Sequence, residues 1–146
     1  MAGPPLITVT VPGDPVPQGS LRAGNRGQLF YSNAAYLKPY RTKIADAVRD
    51  AAGETHEQWT GPVTVRALFV FERPKSHFLK SGGLRKGQHE EKLTPPDLDK
   101  LMRSVLDAIT QSGVYRDDAQ VTVLEAAKDY GPVAVTRLQI EGGSGT

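Results

Sequence analysis

The sequence predicts an α+β fold in which two helices cover one mixed four-stranded sheet. Three observations support this prediction. Strand and helix patterns alternate in the order strand, helix, strand, helix, strand, strand, which is typical of a mixed sheet with helices on one face. The 146 residues suit one compact domain. No internal repeat or change of composition divides the chain, so residues 1–146 are expected to form a single domain.

The first half of the chain predicts a strand, a loop and a helix. Residues 6–11 are rich in β-branched side chains and end at Pro12, which favours a strand. Residues 12–33 are rich in Pro, Gly, Asn and Ser and predict a long loop, in which 29–31 could form a short strand. A helix is expected at 38–52, with Pro39 in its first turn and Gly53 after its end. Its apolar stripe contains Leu37, Tyr40, Ile44, Ala47, Val48 and Ala51.

The second half predicts three strands and a stronger helix. Residues 62–71 are almost continuously apolar, which indicates a central strand. A long basic loop at 72–94 is expected to be mobile. Apolar residues at helical spacing from Leu98 to Ile109 then predict a helix that stops at Gly113. Strands at 121–127 and 133–140, separated by a turn at 129–132, are expected to pair as a hairpin, and 142–146 to be a flexible tail.

The composition excludes several classes of site. The chain has no cysteine, so disulfides, thiolate zinc sites and cysteine nucleophiles are excluded. No apolar run approaches the ~20 residues of a membrane helix, so no membrane partner is expected. The first residues lack the basic region and apolar core of a signal peptide, and we therefore expect a cytoplasmic protein.

Charge is distributed unevenly along the chain. The net charge is only +2, but residues 20–43 and 73–89 carry basic residues and no acidic one. Residues 97–118 hold five aspartates: Asp97, Asp99, Asp107, Asp117 and Asp118. This arrangement suits an enzyme that binds a polyanion and needs a cation, although ordinary solvated surface is the simpler alternative.

The position of the aspartates depends on where the second helix begins. Two prolines keep the approach to Asp97 extended. If the helix begins at Leu98, Asp97 lies at its N-cap and its carboxylate can point the same way as that of Asp99. The alternative is a helix capped by Thr94, in which the two carboxylates diverge. Asp118 can join them only if the chain returns beside the helix, a point that the sequence leaves open.

Clustered carboxylates suggest a divalent cation. Their mutual repulsion raises their pKa values, and a hard cation removes that penalty. Mg²⁺ uses one or two carboxylates and completes its shell with water and phosphate oxygens, so it could polarise a bound phosphodiester. In the alternative interpretation Asp97 caps the helix, Asp99 pairs with Arg103, and Asp117 and Asp118 form a turn.

Residues 97–121 resemble the core of the RusA family of Holliday-junction resolvases. The family pattern is Asp-x-Asp, an amphipathic helix with Leu-Asp-Ala, a glycine, and then Asp-Asp-x-Gln-Val. Here the matching residues are Asp97, Asp99, Leu106-Asp107-Ala108, Gly113 and Asp117-Asp118-Ala119-Gln120-Val121. Weaker similarity at 15–19 and 61–71 extends the resemblance over most of the chain.

The resemblance implies a homodimeric endonuclease that cuts four-way DNA junctions with Mg²⁺, for which Mn²⁺ can substitute. By position, Asp97, Asp99 and Asp118 would be the metal-binding carboxylates. It also implies a role in DNA recombination and repair in a bacterial or phage-infected cell. A two-fold dimer would supply the two active sites that paired nicks require.

This sequence departs from the family at two positions. The family often has Asn after the second aspartate and a catalytic lysine four residues beyond it, where this chain has Lys100 and Arg103. Arginine can clamp a phosphate and stabilise charge but is a poor proton donor. We expect Arg103 to take the catalytic role and Lys100 to contact phosphate. The alternatives are that Lys100 supplies the catalytic cation or that the enzyme is slow.

The basic stretches are the expected DNA-binding residues. Phosphate contacts are predicted for Arg22, Arg26, Lys75, Lys80, Arg85 and Lys86. Phe78 lies in the second stretch and could wedge into an opened junction, or simply pack within its loop.

His56, His77 and His89 do not suggest a ligand cluster, and Trp59 is expected in the core. Three other functions remain open: a metal-dependent nuclease on other branched or duplex DNA, an inactive DNA-binding accessory protein, and a structural or interaction module in which the aspartates serve only as caps and turns.

Overall fold

A computed structural model describes residues 5–143 of the chain, apart from the side chains of residues 30 and 31. The elements in chain order are strands β1 (Leu6–Pro12), β2 (Leu21–Ala23) and β3 (Leu29–Tyr31), helix α1 (Ala34–Ala52), strand β4 (Val63–Glu72), helix α2 (Leu98–Ser112), and strands β5 (Val121–Gly131) and β6 (Val135–Gly142). Short 3₁₀ turns occur at Lys75–His77 and Asp118–Gln120. The α+β fold predicted from the sequence is confirmed.

The main sheet has the strand order β1-β6-β4-β5. β4 runs parallel to β5 and antiparallel to β6, and β6 runs antiparallel to β1. β2 and β3 form a separate antiparallel pair, which confirms the short strand expected at 29–31. Both helices pack on one face of the sheet, where alternate side chains of β1, β4 and β6 join them in the core. The largest fully buried side chains there include Tyr115, Phe69, Ile44, Leu101, Ile109, Leu138 and Ile140.

The predicted hairpin between the last two strands is wrong, because β4 lies between β5 and β6. β4 is the most apolar strand, and the central position gives it a partner on each side. β5 carries Glu125 and Lys128 and takes the edge position instead. The predicted turn at 129–132 is shifted, since β5 continues to Gly131 and only residues 132–134 connect the strands across β4.

This connection requires a glycine where it begins. A Cβ on Gly131 would lie 2.5 Å from Cγ1 of Val70, which is itself buried in β4. No side chain fits at that distance without displacing the valine. Gly131 therefore allows the backbone of β5 to turn closely over β4.

Helix α1 begins four residues earlier than predicted, so Pro39 is the sixth helical residue and not part of the first turn. Asn33 starts the helix, and its carbonyl accepts hydrogen bonds from the N–H groups of Tyr36 and Leu37, both at 3.0 Å. Pro39 is exposed and still close to the N-terminus, so its missing N–H removes only one bond of the helical ladder. The predicted end at Gly53 is confirmed.

The long segment between β4 and α2 contacts the end of the sheet. The guanidinium of Arg73 lies 4.0 Å above the ring of Tyr130 and donates to the carbonyl of Glu90. An isolated β-bridge joins Phe78 to Leu84 within the segment. Its mobility stays a prediction.

The start of the predicted flexible tail is ordered. Gly142 ends β6, and the N–H of Gly143 donates to the carbonyl of Pro62 at 2.7 Å. Residues 144–146 lie outside the described part of the chain. Within the described residues, no helix is long and apolar enough to span a membrane.

Candidate active site

Asp97 is the residue from which α2 starts. Its backbone is extended (φ −70°, ψ 141°), and its carbonyl accepts the N–H of Leu101 at 3.1 Å. Its carboxylate makes no capping hydrogen bond and lies 3.8 Å from Nζ of Lys100. Of the two helix starts compatible with the sequence, the one at Leu98 is therefore correct.

The exposed face of α2 carries a row of charged side chains. Asp99, Arg103 and Asp107 follow one another at four-residue spacing, which places them on one face of a helix. The opposite face is buried and contains Leu101, Met102, Val105, Ala108 and Ile109. Asp107 also accepts a hydrogen bond of 2.9 Å from Arg41 of α1, so its carboxylate links the two helices.

The loop before β2 forms one wall beside the first turns of α2. The N–H of Gln18 donates to the carbonyl of Lys100 at 3.1 Å, and the hydroxyl of Ser104 donates to the carbonyl of Val16 at 2.7 Å. A groove results between this loop and the helix, lined by Gln18, Gly19, Ser20, Asp99, Lys100 and Arg103. A neighbouring groove on the other side of Lys100 is bordered by Asp97.

Gly19 allows the loop to approach closely. A Cβ at this position would lie 2.2 Å from Oδ1 of Asn33. The amide of Asn33 in turn donates to the carbonyl of Pro17 at 2.7 Å, which holds the loop against the start of α1. The loop that forms one wall of the groove beside Asp99 is therefore held by hydrogen bonds to α2 and to the start of α1.

Asp117 and Asp118 have different structural roles. The carboxylate of Asp117 accepts the N–H of Ala119 at 3.0 Å, and the side chain of Gln120 accepts the N–H of Asp117 at 2.9 Å. This reciprocal capping box explains the Asp117–Asp118 turn that the alternative interpretation predicted. Asp118 is partly exposed and takes no part in the reciprocal backbone capping.

The two aspartates also differ in their pKa. The pKa of Asp118 is raised, chiefly because its carboxyl hydrogen-bonds with Asp117, and further by partial burial and by the charges of Asp117 and Asp107. The charge of Arg103 partly offsets this effect. The pKa of Asp117 is lowered, above all by the hydrogen bond from the N–H of Ala119.

These interactions place Asp118 near the middle of α2. Both Arg103 and Asp107 lie close enough to it to affect its ionisation. The phenol of Tyr115 is buried nearby, and burial together with the surrounding aspartates raises its pKa to about 12. Asp97 and Asp99 lie at the beginning of the same helix, and the structure does not bring them into one group with Asp118.

Within residues 5–143, no three acidic or histidine side chains are grouped closely enough to hold a metal ion. The chemistry of each candidate suits a hard divalent cation, because all three are carboxylates and Mg²⁺ can use one or two of them with water and phosphate, although the three are not grouped around one position. The ion pair between Asp99 and Arg103 that the alternative interpretation predicted does not occur. The ion pairs at this helix are Asp97 with Lys100 and Asp107 with Arg41.

The structure places the predicted DNA-binding residues in two regions. Arg22 and Arg26 are exposed in and between β2 and β3. Lys75, Lys80, Arg85 and Lys86 are exposed in the segment that follows β4. The ring of Phe78 is 37% exposed and its backbone bridges to Leu84, so both the wedge and the local-packing interpretations remain compatible with its position.

His56, His77 and Trp59 make contacts that do not involve the candidate carboxylates. His56 bonds to the carbonyl of Val114, and the ring of His77 packs edge-on against Tyr130. No histidine joins a candidate metal group within the described part of the chain. Trp59 packs against the core, as predicted.

Sequence reasoning missed several residues around the site. Gln18 and Ser20 line the groove, and the weak family similarity at 15–19 was the only signal for that loop. Asp107 was counted among the clustered aspartates, but its pairing with Arg41 was not foreseen. Lys128 contacts the segment before Asp97 from β5, and no local pattern indicates a contact between residues so far apart in sequence.

Comparison with known proteins identifies the family. No curated protein matches the chain. The model of the family described as "Endodeoxyribonuclease RusA" matches residues 12–141, which include β4, β5 and nearly all of β6, both helices and all the candidate carboxylates, while β1 lies almost entirely before the match. The chain therefore belongs to the RusA family of endodeoxyribonucleases, enzymes that resolve Holliday junctions.

Proposed function

We propose that this enzyme is a Mg²⁺-dependent, structure-selective endonuclease that resolves four-way DNA junctions by paired symmetric nicks. Its role would be in recombination and repair, in the cytoplasm of a bacterial or phage-infected cell. The observation that supports this most directly is the exposed face of α2, which carries Asp99 and Arg103 and lies beside Asp118. This face offers anionic groups for a cation and a cationic group for a phosphate.

Asp97, Asp99 and Asp118 are the residues that would hold the cation. When bound, Mg²⁺ (or Mn²⁺ in its place) supplies charge that polarises the scissile phosphate and lowers the pKa of a water molecule. Asp118 must be ionised to bind a cation, yet its neighbours raise its pKa. A nearby divalent charge would favour the ionised form, so cation binding and deprotonation of Asp118 would be linked.

Arg103 and Lys100 would act on the phosphate. Both side chains line the groove that also contains Asp99. The guanidinium of Arg103 can donate two parallel hydrogen bonds to phosphate oxygens and stabilise the negative charge that develops as a nucleophile adds to phosphorus. Lys100 would contact an adjacent phosphate, exchanging its ion pair with Asp97 for the DNA backbone.

The exposed basic residues would hold the arms of the junction. Arg22 and Arg26 lie in the β2–β3 region, which follows directly after the groove-lining residues Gly19 and Ser20. Lys75, Lys80, Arg85 and Lys86 would add phosphate contacts from the segment after β4, with Phe78 as a candidate wedge between bases.

A homodimer would supply the two active sites. Paired nicks on strands of like polarity require two sites related by a two-fold axis. We expect light scattering to give the mass of a dimer, alone or on junction DNA. A monomer under both conditions would contradict this part of the proposal.

The test is cleavage of a labelled four-way junction and a matched linear duplex in Mg²⁺, Mn²⁺ or EDTA. We expect paired nicks near the crossover that require the metal and are absent on the duplex. Equal cutting of junction and duplex would replace junction resolution by a less selective nuclease activity. Tight binding without cutting in either metal would favour the inactive accessory protein.

A further inference from the structure

Lys128 of the edge strand β5 connects the sheet to the start of the candidate site. Its ammonium donates to the carbonyls of Thr94 and Pro96, both at 2.9 Å. Pro96 directly precedes Asp97, the residue from which α2 starts. The side chain of Lys128 is partly buried, so these contacts are not those of an ordinary solvated lysine.

The segment that Lys128 contacts has few other means of holding its position. Pro95 and Pro96 have no N–H and therefore donate no backbone hydrogen bond. Their carbonyls are good acceptors, and a charged donor makes the stronger kind of hydrogen bond. A second lysine, Lys92, donates to the hydroxyl of Thr94 at 2.8 Å.

The direction of the Asp97 carboxylate depends on this segment. Asp97 has an extended backbone and makes no side-chain capping bond, and its one contact with the helix is an exposed ion pair of 3.8 Å with Lys100. The segment before Asp97 therefore contributes to where its backbone, and with it the carboxylate, lies. Lys128 bridges the two carbonyls on either side of Pro95 and restrains the chain immediately before Asp97.

We propose that Lys128 is a positioning residue that sets the location of Asp97 for cation binding. The inference rests on the proposed function in one respect, because it takes Asp97 as a metal-binding residue. Lys128 itself does not touch the cation or the DNA in this account. It acts as partners of metal ligands generally do, and their loss typically weakens metal affinity by about 10- to 100-fold.

The experiment compares Lys128→Met with Lys128→Arg in the full chain by NMR of backbone amides. The control is Lys43→Met, the same change at an exposed position of α1. Two quantities are measured: exchange of the Leu101 amide, which bonds to the carbonyl of Asp97, in metal-free protein, and the Mn²⁺ concentration that half-broadens the amide signals of Asp97 and Asp99.

Lys128→Met is expected to speed exchange of the Leu101 amide several-fold and to raise the half-broadening Mn²⁺ concentration by roughly tenfold. Lys128→Arg should stay near wild type, since arginine can also donate to two carbonyls. Equality of Lys128→Met with the Lys43→Met control in either measurement would overturn the proposal. Faster exchange with unchanged Mn²⁺ response would thus assign Lys128 a purely structural role.

The two proposals can fail separately. If Mn²⁺ broadens no signal near Asp97 even in wild type, the proposed metal role of Asp97 fails, whereas a shift confined to Lys128→Met supports both proposals. Should Lys128→Met give the spectrum of an unfolded chain, Lys128→Gln, whose shorter side chain lacks the charged donor, is judged by the same criteria.

Discussion

At the scale of single residues, the adjacent carboxyl groups of Asp117 and Asp118 have pKa values shifted in opposite directions. Asp117 caps a 3₁₀ turn and its pKa is lowered by the N–H of Ala119, whereas the pKa of Asp118 is raised by Asp117 and other neighbours. The ionised form of Asp117 therefore stabilises the fold, and that of Asp118 destabilises it. A carboxylate held at some cost to stability is a frequent feature of functional sites.

The opposite pKa shifts predict that replacing each aspartate with asparagine changes the melting temperature in opposite directions. Since the folded-state pKa of Asp118 lies above its unfolded value, its ionisation costs stability above the folded pKa and costs nothing below the unfolded pKa of ~3.9. Asp118→Asn should raise the melting temperature at pH 7 by about 1–2 °C, as expected for a solvent-screened effect of up to ~0.5 kcal/mol. The gain should vanish toward pH 3.

Asp117→Asn is the matched control for that measurement. The stabilisation from its lowered pKa is present above the unfolded value and is lost as the pH falls through the folded pKa, so the variant should melt lower than wild type at pH 7. Equal melting temperatures for the two variants at pH 7 would contradict the assignment of their carboxylates.

Arg103 allows a direct test of its catalytic role. Arg103→Ala should lower single-turnover cleavage of a four-way junction by roughly a hundredfold, comparable to loss of one donor to a developing oxyanion. Arg103→Lys restores the residue that the family often has and should keep most of the rate. Junction binding measured by gel shift is the control. Unchanged turnover in Arg103→Ala would remove Arg103 from the mechanism.

The sequence could predict the local backbone conformation at single site residues, but not their contacts with residues far away in the chain. The two prolines before Asp97 indicated an extended approach but left two helix starts open, and the structure shows the one at Leu98. The contacts of Lys128 with Thr94 and Pro96 join residues more than 30 positions apart. Such contacts depend on the tertiary arrangement and leave no local trace in the sequence.

At the scale of elements, the arrangement of the strands was the main error. Strand positions followed from β-branched and apolar runs, and the strong periodicity from Leu98 to Ile109 predicted α2 but left its start open. The short connection between β5 and β6 favoured a hairpin, which the central position of β4 overrides. Local spacing predicts elements, but competition among strands for the buried central position decides their neighbours.

Where the chain leaves β5 and passes over β4, the effects of substitutions at Gly131 and Val70 should depend on each other. Gly131→Ala should destabilise the protein by about 1–3 kcal/mol in urea unfolding, because its Cβ would lie 2.5 Å from Val70 Cγ1. Combining it with Val70→Ala should cost less than the sum of the two single changes. Gly83→Ala is the control, since nothing lies within 4 Å of the Cβ it would gain. If the effects of Gly131→Ala and Val70→Ala on the free energy of unfolding were additive, the close approach of these two residues would be contradicted.

At the scale of the whole molecule, sequence patterns were most informative about family and fold class. The family match covers residues 12–141, and the α+β architecture agrees with the order of patterned segments. The exposed basic residues of the β2–β3 region and of the segment after β4 remain the predicted DNA-binding surface. No local pattern in the sequence identifies a surface for the proposed dimer.

The predicted DNA-binding surface should determine the salt dependence of junction affinity. Replacing Lys80, Arg85 and Lys86 together with alanine should reduce the slope of log affinity against log salt by up to about 2.7, since each phosphate contact contributes about 0.9. Arg49→Ala, which removes an exposed arginine of α1 paired with Asp46, should leave the slope unchanged. An unchanged slope in the triple variant would exclude this segment from DNA binding.

The most direct test of the account is the single-turnover rate of four-way junction cleavage in Mg²⁺ by Asp118→Asn compared with Asp117→Asn. The two changes are chemically identical and adjacent, but only Asp118 is proposed to bind the cation. We predict that Asp118→Asn loses at least roughly a hundredfold in rate, or about 2.7 kcal/mol of transition-state stabilisation, while Asp117→Asn keeps nearly full activity. Wild-type cleavage by Asp118→Asn, or an equal loss in both variants, would contradict the account.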